Sequence, residues 1–172
     1  NTFMTPLLQR PLELGADIVI HSATKYLGGH NDLCAGVLVT ADEKIGEELY
    51  FLQNSTGPIL PPQDCWLLVR SLKTLALRLE HQCRSAQTIA EWLQRQPQVE
   101  TVYFPGLSDH PGHQLIQKQA SGFGAMLSFR VDSTARARQV LEKIKLISFA
   151  ESLGGVETLL TLPAVQTHGD IP

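Results

Sequence analysis

The chain has 172 residues, of which 43% are hydrophobic and 18% are charged, and its formal net charge is −3. Such a chain can bury a core in one domain or two small ones, and without a basic run it is a poor match for nucleic acid or anionic membrane surfaces. It contains no run of about eighteen apolar residues, so we expect no membrane span.

The three cysteines are far apart in the sequence and form no C-x-x-C pair. This spacing favours free thiols in a reducing cytoplasm over a disulfide framework. His110 and His113 form an H-x-x-H, but no cysteine or carboxylate cluster accompanies them, so we expect no metal site. The sequence therefore indicates a cytoplasmic protein.

The first part of the chain predicts two strands and a helix. Residues 17–20 and the Val- and Leu-rich residues 35–40 are expected to be strands, giving a βαβ-like first half. Gly15 is expected to end a helix before the first strand. Asp42 is placed to cap a helix that continues through Leu52.

The longest helical pattern follows a loop at residues 54–62 that holds four Gly and Pro residues. We expect Asp64 to be its N-cap. Since apolar spacing continues as far as Leu93, the pattern is too long for one ordinary globular helix, and we expect a break at residues 75–80. We place the domain boundary there, with one domain over residues 1–77 and a smaller α/β domain over residues 78–172.

The second half predicts alternating helices and strands, which favours an α/β architecture of two or three layers. The expected elements are a helix at residues 83–96, strands at 99–104 and 125–131, a helix at 113–119, a helix from its cap at Ser133 to Lys143, and short strands at 146–149 and 157–160.

The run H-S-A-T-K-Y-L-G-G-H-N-D begins at His21 and places Lys25 just after the first predicted strand. A lysine amine can form a Schiff base with an aldehyde, while the hydroxyls of Ser22 and Thr24 can hold a phosphate. Pyridoxal 5'-phosphate (PLP) carries both groups. The S-x-T-K pattern alone arises often by chance, so an ordinary surface lysine is the alternative.

The longer run resembles the lysine signature of the Cys/Met-metabolism PLP enzymes, the cystathionine γ-synthase and cystathionine β- and γ-lyase group, and the resemblance covers essentially the whole chain. It implies an α/β fold of the fold-type I PLP-dependent transferases, which are aspartate aminotransferase-like. The chain would cover part of the large PLP domain and most of the small C-terminal domain. The resemblance implies that Lys25 is catalytic and that Ser22 and Thr24 contact the phosphate.

Members of that family are longer, so we expect this stretch to be part of a larger chain. The resemblance places several further groups outside residues 1–172: the aspartate for the pyridinium nitrogen, a stacking tyrosine, the neighbouring subunit's phosphate ligands and the arginine for the substrate carboxylate. This stretch alone is therefore expected to be inactive.

A second motif, A-E-S-L-G-G-V-E-T-L, begins at residue 150. Taken alone, its Gly-Gly predicts a turn. The resemblance implies that Ser152, with Leu153 beside it, lies near the substrate carboxylate and the lysine. It also implies that Glu151 faces the distal end of the substrate, where a carboxylate suits the ammonium group of cystathionine. Thr167 belongs to a T-H pair that would lie beside the substrate channel.

The resemblance implies a lyase that cleaves the C–S bond of cystathionine by β- or γ-elimination and assembles as a homotetramer, a dimer of dimers. One alternative is γ-replacement on an acylated homoserine, as in cystathionine γ-synthase or O-acylhomoserine sulfhydrylase. An alternative of another class is a non-catalytic piece that packs against a partner chain.

Overall fold

The computed structural model describes residues 1–166, so the predicted substrate contact of Thr167 lies outside the described residues. In chain order the elements are α1 (Thr5–Leu8), a 3₁₀ helix (Pro11–Leu14), β1 (Val19–Ser22), β2 (Gly36–Val39), α2 (Glu43–Thr56), α3 (Pro62–Leu72), α4 (Leu75–Gln94), β3 (Val99–Tyr103), α5 (His113–Gln119), β4 (Ser128–Val131), α6 (Thr134–Lys143), β5 (Ser148–Phe149), β6 (Leu159–Leu160) and α7 (Pro163–Gln166).

The described strands pair two by two. β1 and β2 are antiparallel, with Ile20 opposite Leu38, and β3 and β4 are also antiparallel. β5 and β6 are parallel. The predicted βαβ-like first half is therefore wrong, because residues 23–35 form a loop that returns the chain beside β1 instead of a crossover helix.

Helix ends follow local capping chemistry. The side chain of Asp42 accepts a hydrogen bond from the backbone of Ile45 at 3.0 Å, and Ser133 caps α6 in the same way. Gly15 ends the 3₁₀ helix with φ 96°. These three caps are confirmed. The predicted N-cap at Asp64 is wrong, because the N-cap position of α3 is occupied by Pro61 and Asp64 lies within the first turn of the helix.

The long helical pattern breaks at Lys73 and Thr74, just before the predicted interval. The carbonyl of Ser71 would accept from Leu75 in a continuous helix. It instead accepts from the backbone of Thr74 at 3.2 Å and from the Arg78 guanidinium at 3.0 Å. α4 then runs without interruption past residues 77 and 78, so the two-domain division stays a proposal.

α4 connects two hydrophobic clusters. Its first half contributes Leu75 and Leu79 to a cluster that covers the inner side of the loop after β1, together with Ala23, Tyr26 and Leu27. Its second half contributes Ala86 and Ala90 to a cluster beneath β3, together with Phe104 and Leu107. The two halves of the chain are therefore built on one helix. Within residues 1–166, no helix combines the length and apolar character needed to cross a membrane.

Candidate active site

Lys25 lies in the lysine loop, which we define as residues 23–35 between β1 and β2. The loop starts with tight turns: Lys25 N–H donates to the Ser22 carbonyl at 3.2 Å, and Gly29 N–H donates to the Lys25 carbonyl at 2.7 Å. Gly29 has φ 71°, a left-handed conformation that favours glycine. The lysine is thereby held just beyond the strand, with its side chain partly exposed.

Arg78 fixes the inner side of the lysine loop to the start of α4. Its guanidinium donates to the Tyr26 carbonyl at 2.9 Å and to the Ser71 carbonyl at 3.0 Å. The Cα of Gly29 lies so close to this guanidinium that an added Cβ would collide with it. The same arginine therefore contacts both the break in the long helix and the loop that carries Lys25.

The two hydroxyls predicted to hold phosphate differ in their present contacts. Thr24 Oγ1 accepts from the Ala35 backbone N–H at 2.9 Å, which joins the two ends of the lysine loop. Thr24 Oγ1 also donates, at long range, to the Ala35 carbonyl at 3.4 Å and toward Cys34 Sγ at 3.6 Å, so a closer ligand acceptor can take this proton. The Ser22 hydroxyl has no hydrogen bond within the part of the chain that the structure describes. Both residues can therefore donate to an anion.

Ser152 meets Lys25 directly. Lys25 Nζ donates to Ser152 Oγ at 3.1 Å, across 127 positions of sequence. Ser152 belongs to the loop between β5 and β6, residues 150–158, which we call the SLGG loop. The structure thus brings together the two motifs on which the sequence analysis depended.

The glycines of the SLGG loop permit close backbone contact with the lysine loop. Gly154 has φ 77°, and a Cβ at this position would lie 2.5 Å from the Tyr26 nitrogen and 2.9 Å from the Lys25 carbonyl carbon. No other residue fits without displacing the lysine loop. Gly-Gly therefore does more here than form a turn, because it sets how near Ser152 comes to Lys25.

The other predicted substrate residues lie beside this contact. Glu151 is exposed and makes no hydrogen bond within residues 1–166, so its carboxylate is available. Leu153 packs against the cluster that contains Tyr26 and Leu79. Its side chain therefore anchors the SLGG loop.

Three residues of the site were not identified from the sequence. Asn31 Nδ2 donates to Glu157 Oε2 at 2.6 Å, and Gln82 Nε2 donates to the Gly155 carbonyl at 2.7 Å. Asn31 and Glu157 belong to the two motifs of the sequence analysis. Their membership in those motifs is the sequence signal that could have identified them as site residues. Gln82 has no local signal, because nothing in the α4 pattern indicates a partner 73 residues away.

Burial shifts the pKa of four groups in or against the lysine loop, and in each case it is the largest cause. It raises the pKa of Tyr26 to about 12 and also raises that of the Cys83 thiol. It lowers the pKa of the His21 imidazole and of the Arg78 guanidinium. All four shifts favour the neutral form, as burial away from water does. The Tyr26 phenol therefore stays neutral near pH 7.

The two histidines of the H-x-x-H pattern have local partners. His113 Nδ1 lies 2.8 Å from the Pro105 carbonyl, and its ring stacks on Phe123 with centroids 5.2 Å apart. His110 Nδ1 accepts from the Gly112 backbone at 3.0 Å. Both rings therefore help to shape the loop before α5.

Residues 1–172 match the family described as Cys/Met metabolism PLP-dependent enzyme. The chain belongs to this family. It is 55% identical to cystathionine gamma-lyase of Bacillus subtilis (strain 168) and 52% identical to cystathionine beta-lyase of Lactococcus lactis subsp. cremoris (strain MG1363). Both alignments cover 100% of this chain and 45% of the relative, so the chain spans less than half the length of these family members.

A solved member of the family extends the comparison to structure. Cystathionine gamma synthase from Xanthomonas oryzae pv. oryzae in complex with cystathionine superposes with a TM-score of 0.96 at 43% identity, over 100% of this chain and 45% of that one. The fold-type I class expected from the sequence is thereby confirmed.

The residues present fit the cofactor of the family. PLP needs an amine for its aldehyde and donors for its phosphate. Lys25 makes no ion pair within residues 1–166, and its amine contacts only the hydroxyl of Ser152 there. Ser22 and Thr24 both have a proton to donate. This donor set is the one that the aldehyde and phosphate require.

Proposed function

We propose that the full-length protein is a PLP-dependent transsulfuration enzyme that cleaves the C–S bond of cystathionine by β- or γ-elimination. The observation that carries the proposal is the 3.1 Å contact between Lys25 Nζ and Ser152 Oγ, which joins the proposed cofactor residue to the proposed substrate segment. The lyases among its relatives, at 55% and 52% identity, support the choice of reaction.

Lys25 has two tasks in this proposal. Its amine would hold the aldehyde of PLP, and in its free form the same amine would remove the proton at the substrate Cα and deliver it later in the reaction. PLP, when bound, supplies the electron sink that stabilises negative charge at Cα. Ser152 keeps the lysine nitrogen in one position by accepting its hydrogen bond, so that the amine meets the Cα proton in a productive orientation.

Ser22 and Thr24 bind the phosphate by donating from their hydroxyls. The Thr24 hydroxyl is held in place because it accepts from Ala35, and this leaves its proton for the ligand. Both residues lie within three positions of Lys25 in the sequence, so the groups that would hold the phosphate and the aldehyde belong to one short segment.

Glu151 favours cystathionine as the substrate. Cystathionine carries a second ammonium group at its distal end, and a free carboxylate can bind it through a charge-assisted hydrogen bond. Glu151 is exposed and has no partner within residues 1–166, so no internal cation competes for it.

A second candidate is γ-replacement, in which cysteine displaces the acyl group of an acylated homoserine. The structural similarity to a cystathionine gamma synthase, at a TM-score of 0.96, supports this second candidate. Both reactions begin with removal of the Cα proton by Lys25, so they share that step and differ in the leaving group and in the later proton transfers.

The deciding experiment gives the full-length protein L-cystathionine and identifies the products. Pyruvate is expected from β-elimination and 2-oxobutyrate from γ-elimination. Release of neither, with cystathionine formed from cysteine and an acylated homoserine, would favour γ-replacement. Lys25→Ala should abolish turnover in every case, and normal turnover in that variant would refute the proposal. Glu151→Gln should weaken cystathionine use more than use of an amino acid without a distal ammonium.

We further propose that the full-length protein is cytoplasmic and forms a homotetramer of paired dimers. α2 and α3 expose several aromatic and aliphatic side chains to solvent in the isolated chain, including Tyr50, Phe51, Trp66 and Val69. Such a surface needs a cover, from the remainder of the chain or from a second copy. Light scattering on the purified full-length protein should give four times the monomer mass, and a monomer would contradict the assembly.

A further inference from the structure

The hydrogen bond between Asn31 and Glu157 joins the end of the lysine loop to the end of the SLGG loop. Its heavy-atom distance is 2.6 Å, and both side chains are exposed. Neither residue touches Lys25 in the described structure, and neither is needed for the chemistry proposed above. Their pairing therefore calls for a separate explanation.

The position of this pair over Gly155 indicates what it does. A Cβ on Gly155 would lie 2.6 Å from Asn31 Nδ2 and 2.9 Å from Glu157 Oε2, so the pair crosses directly over the glycine backbone. On the other side, the Gly155 carbonyl accepts from Gln82 of α4 at 2.7 Å. The loop backbone is thus held between α4 and the Asn31–Glu157 bond.

Regular secondary structure gives the SLGG loop little support at its base. Its base is the pairing of β5 and β6, two strands of two residues each, with one further backbone bond from Ser148 to Thr158 at 3.0 Å. The strands at its base are therefore short, so they hold the loop weakly. Contacts at the tip of the loop must determine where Ser152 stands relative to Lys25.

We infer that Glu157 is a positioning residue: through Asn31 it clamps the SLGG loop onto the lysine loop and so keeps Ser152 Oγ against Lys25 Nζ. The inference rests on the proposed function, which gives the Ser152–Lys25 contact its role. Asn31 supports this role by its backbone, because its φ of 57° is a left-handed conformation that a residue adopts rarely and that aims the side chain here toward Glu157.

The test uses the full-length enzyme and Glu157→Ala, compared with Asp109→Ala as a matched control. Asp109 also pairs with an amide on the surface, Gln94, at 3.2 Å, but the pair lies in the second half of the chain, without a link to Lys25. We expect Glu157→Ala to lower kcat/KM about tenfold at an unchanged melting temperature, and Asp109→Ala to change neither. Glu157→Gln, whose carboxamide oxygen can still accept from Asn31, should recover most of the loss.

The route of the effect is tested by combining variants. If Glu157 acts through Ser152, Glu157→Ala should cause no further loss in a Ser152→Ala enzyme. Equal losses in the two backgrounds would overturn the inference, because Glu157 would then act independently of Ser152.

A readout without turnover separates this inference from the proposed function. In cofactor-free protein, amide hydrogen exchange at residues 150–158 should be faster in Glu157→Ala than in the unmodified protein and in Asp109→Ala. Unchanged exchange would overturn the clamp even if the enzyme is a lyase. Faster exchange in a protein without PLP-dependent turnover would support the clamp and refute the proposed function.

Discussion

The two ends of α4 support structure in different ways. At its start, the lysine loop has no regular secondary structure over residues 23–35, and it is held by directional contacts such as the Arg78 guanidinium on the Tyr26 carbonyl. At its far end, β3 is paired with β4 and rests on an apolar cluster around Phe104. Precision near Lys25 therefore comes from hydrogen bonds and close glycine contacts, whereas stability beneath β3 comes from packing.

The largest effect should come from the packed end. Phe104 is only 1% exposed, so Phe104→Ala should leave a cavity and cost about 3–5 kcal/mol of unfolding free energy. The neighbouring Tyr103 is 47% exposed, so Tyr103→Ala is the matched control and should cost far less. Thermal melting of both variants tests this. Equal losses of unfolding free energy would show that burial does not determine stability at this end, and the contrast with the lysine loop would then fail.

Elements with local signals could be predicted from the sequence. Asp42, Ser133 and Gly15 cap helices with their own side chain or backbone, and α5 lies where its pattern placed it. The break lies at residues 73–74, slightly before the predicted interval; there the Ser71 carbonyl accepts from Arg78 and from Thr74, and no Gly or Pro marks the position.

Long-range features of the site could not be derived from local pattern. The antiparallel return of β2 depends on the path of the whole lysine loop. The Gln82–Gly155 bond joins residues that have no shared periodicity. Ser152 and Lys25 were expected to meet only because both motifs resemble a family. Asn31 lies in the same motif as Lys25, yet its partner emerged only from the fold.

The next effect should come from the close glycine contact. Gly154→Ala requires a left-handed alanine, at about 1–2 kcal/mol, and also drives Cβ into the Tyr26 backbone. We expect at least about a hundredfold loss of kcat/KM, equivalent to about 2.7 kcal/mol. Gly15→Ala is the matched control, because Gly15 has φ 96° but open space around it. It should lower the melting temperature slightly and leave kcat/KM unchanged, whereas a similar activity loss in both would show that strain alone matters.

Arg78→Lys should have a smaller effect on activity. A lysine cannot reproduce the planar fork that reaches both the Tyr26 and Ser71 carbonyls, so the lysine loop should lose its brace. We expect about a tenfold decrease in kcat/KM, since hydrogen bonds from charged groups contribute about 1.5–3 kcal/mol. Arg84→Lys, on the same helix, changes a guanidinium that pairs with Glu80 at the surface. Steady-state kinetics should show no change for this control.

The smallest effect should come from an ion pair at the packed end. Arg130 and Glu100 join β4 to β3 with a distance of 2.7 Å, but their side chains are 62% and 45% exposed. Glu100→Gln should change the unfolding free energy by less than about 1 kcal/mol and leave kcat/KM unaltered. A larger loss would show that polar contacts matter as much beneath β3 as they do around Lys25.

The separation of Lys25 and Ser152 by 127 positions also sets an order of events during synthesis. Chains are made at about 5–20 residues per second, so Ser152 is added roughly 6–25 s after Lys25. The residues of β1 and β2, including Ser22, and the residue Thr24 are all synthesised before Ser152 is added. The half of the site proposed to hold the cofactor is therefore synthesised seconds before the half proposed to meet the substrate.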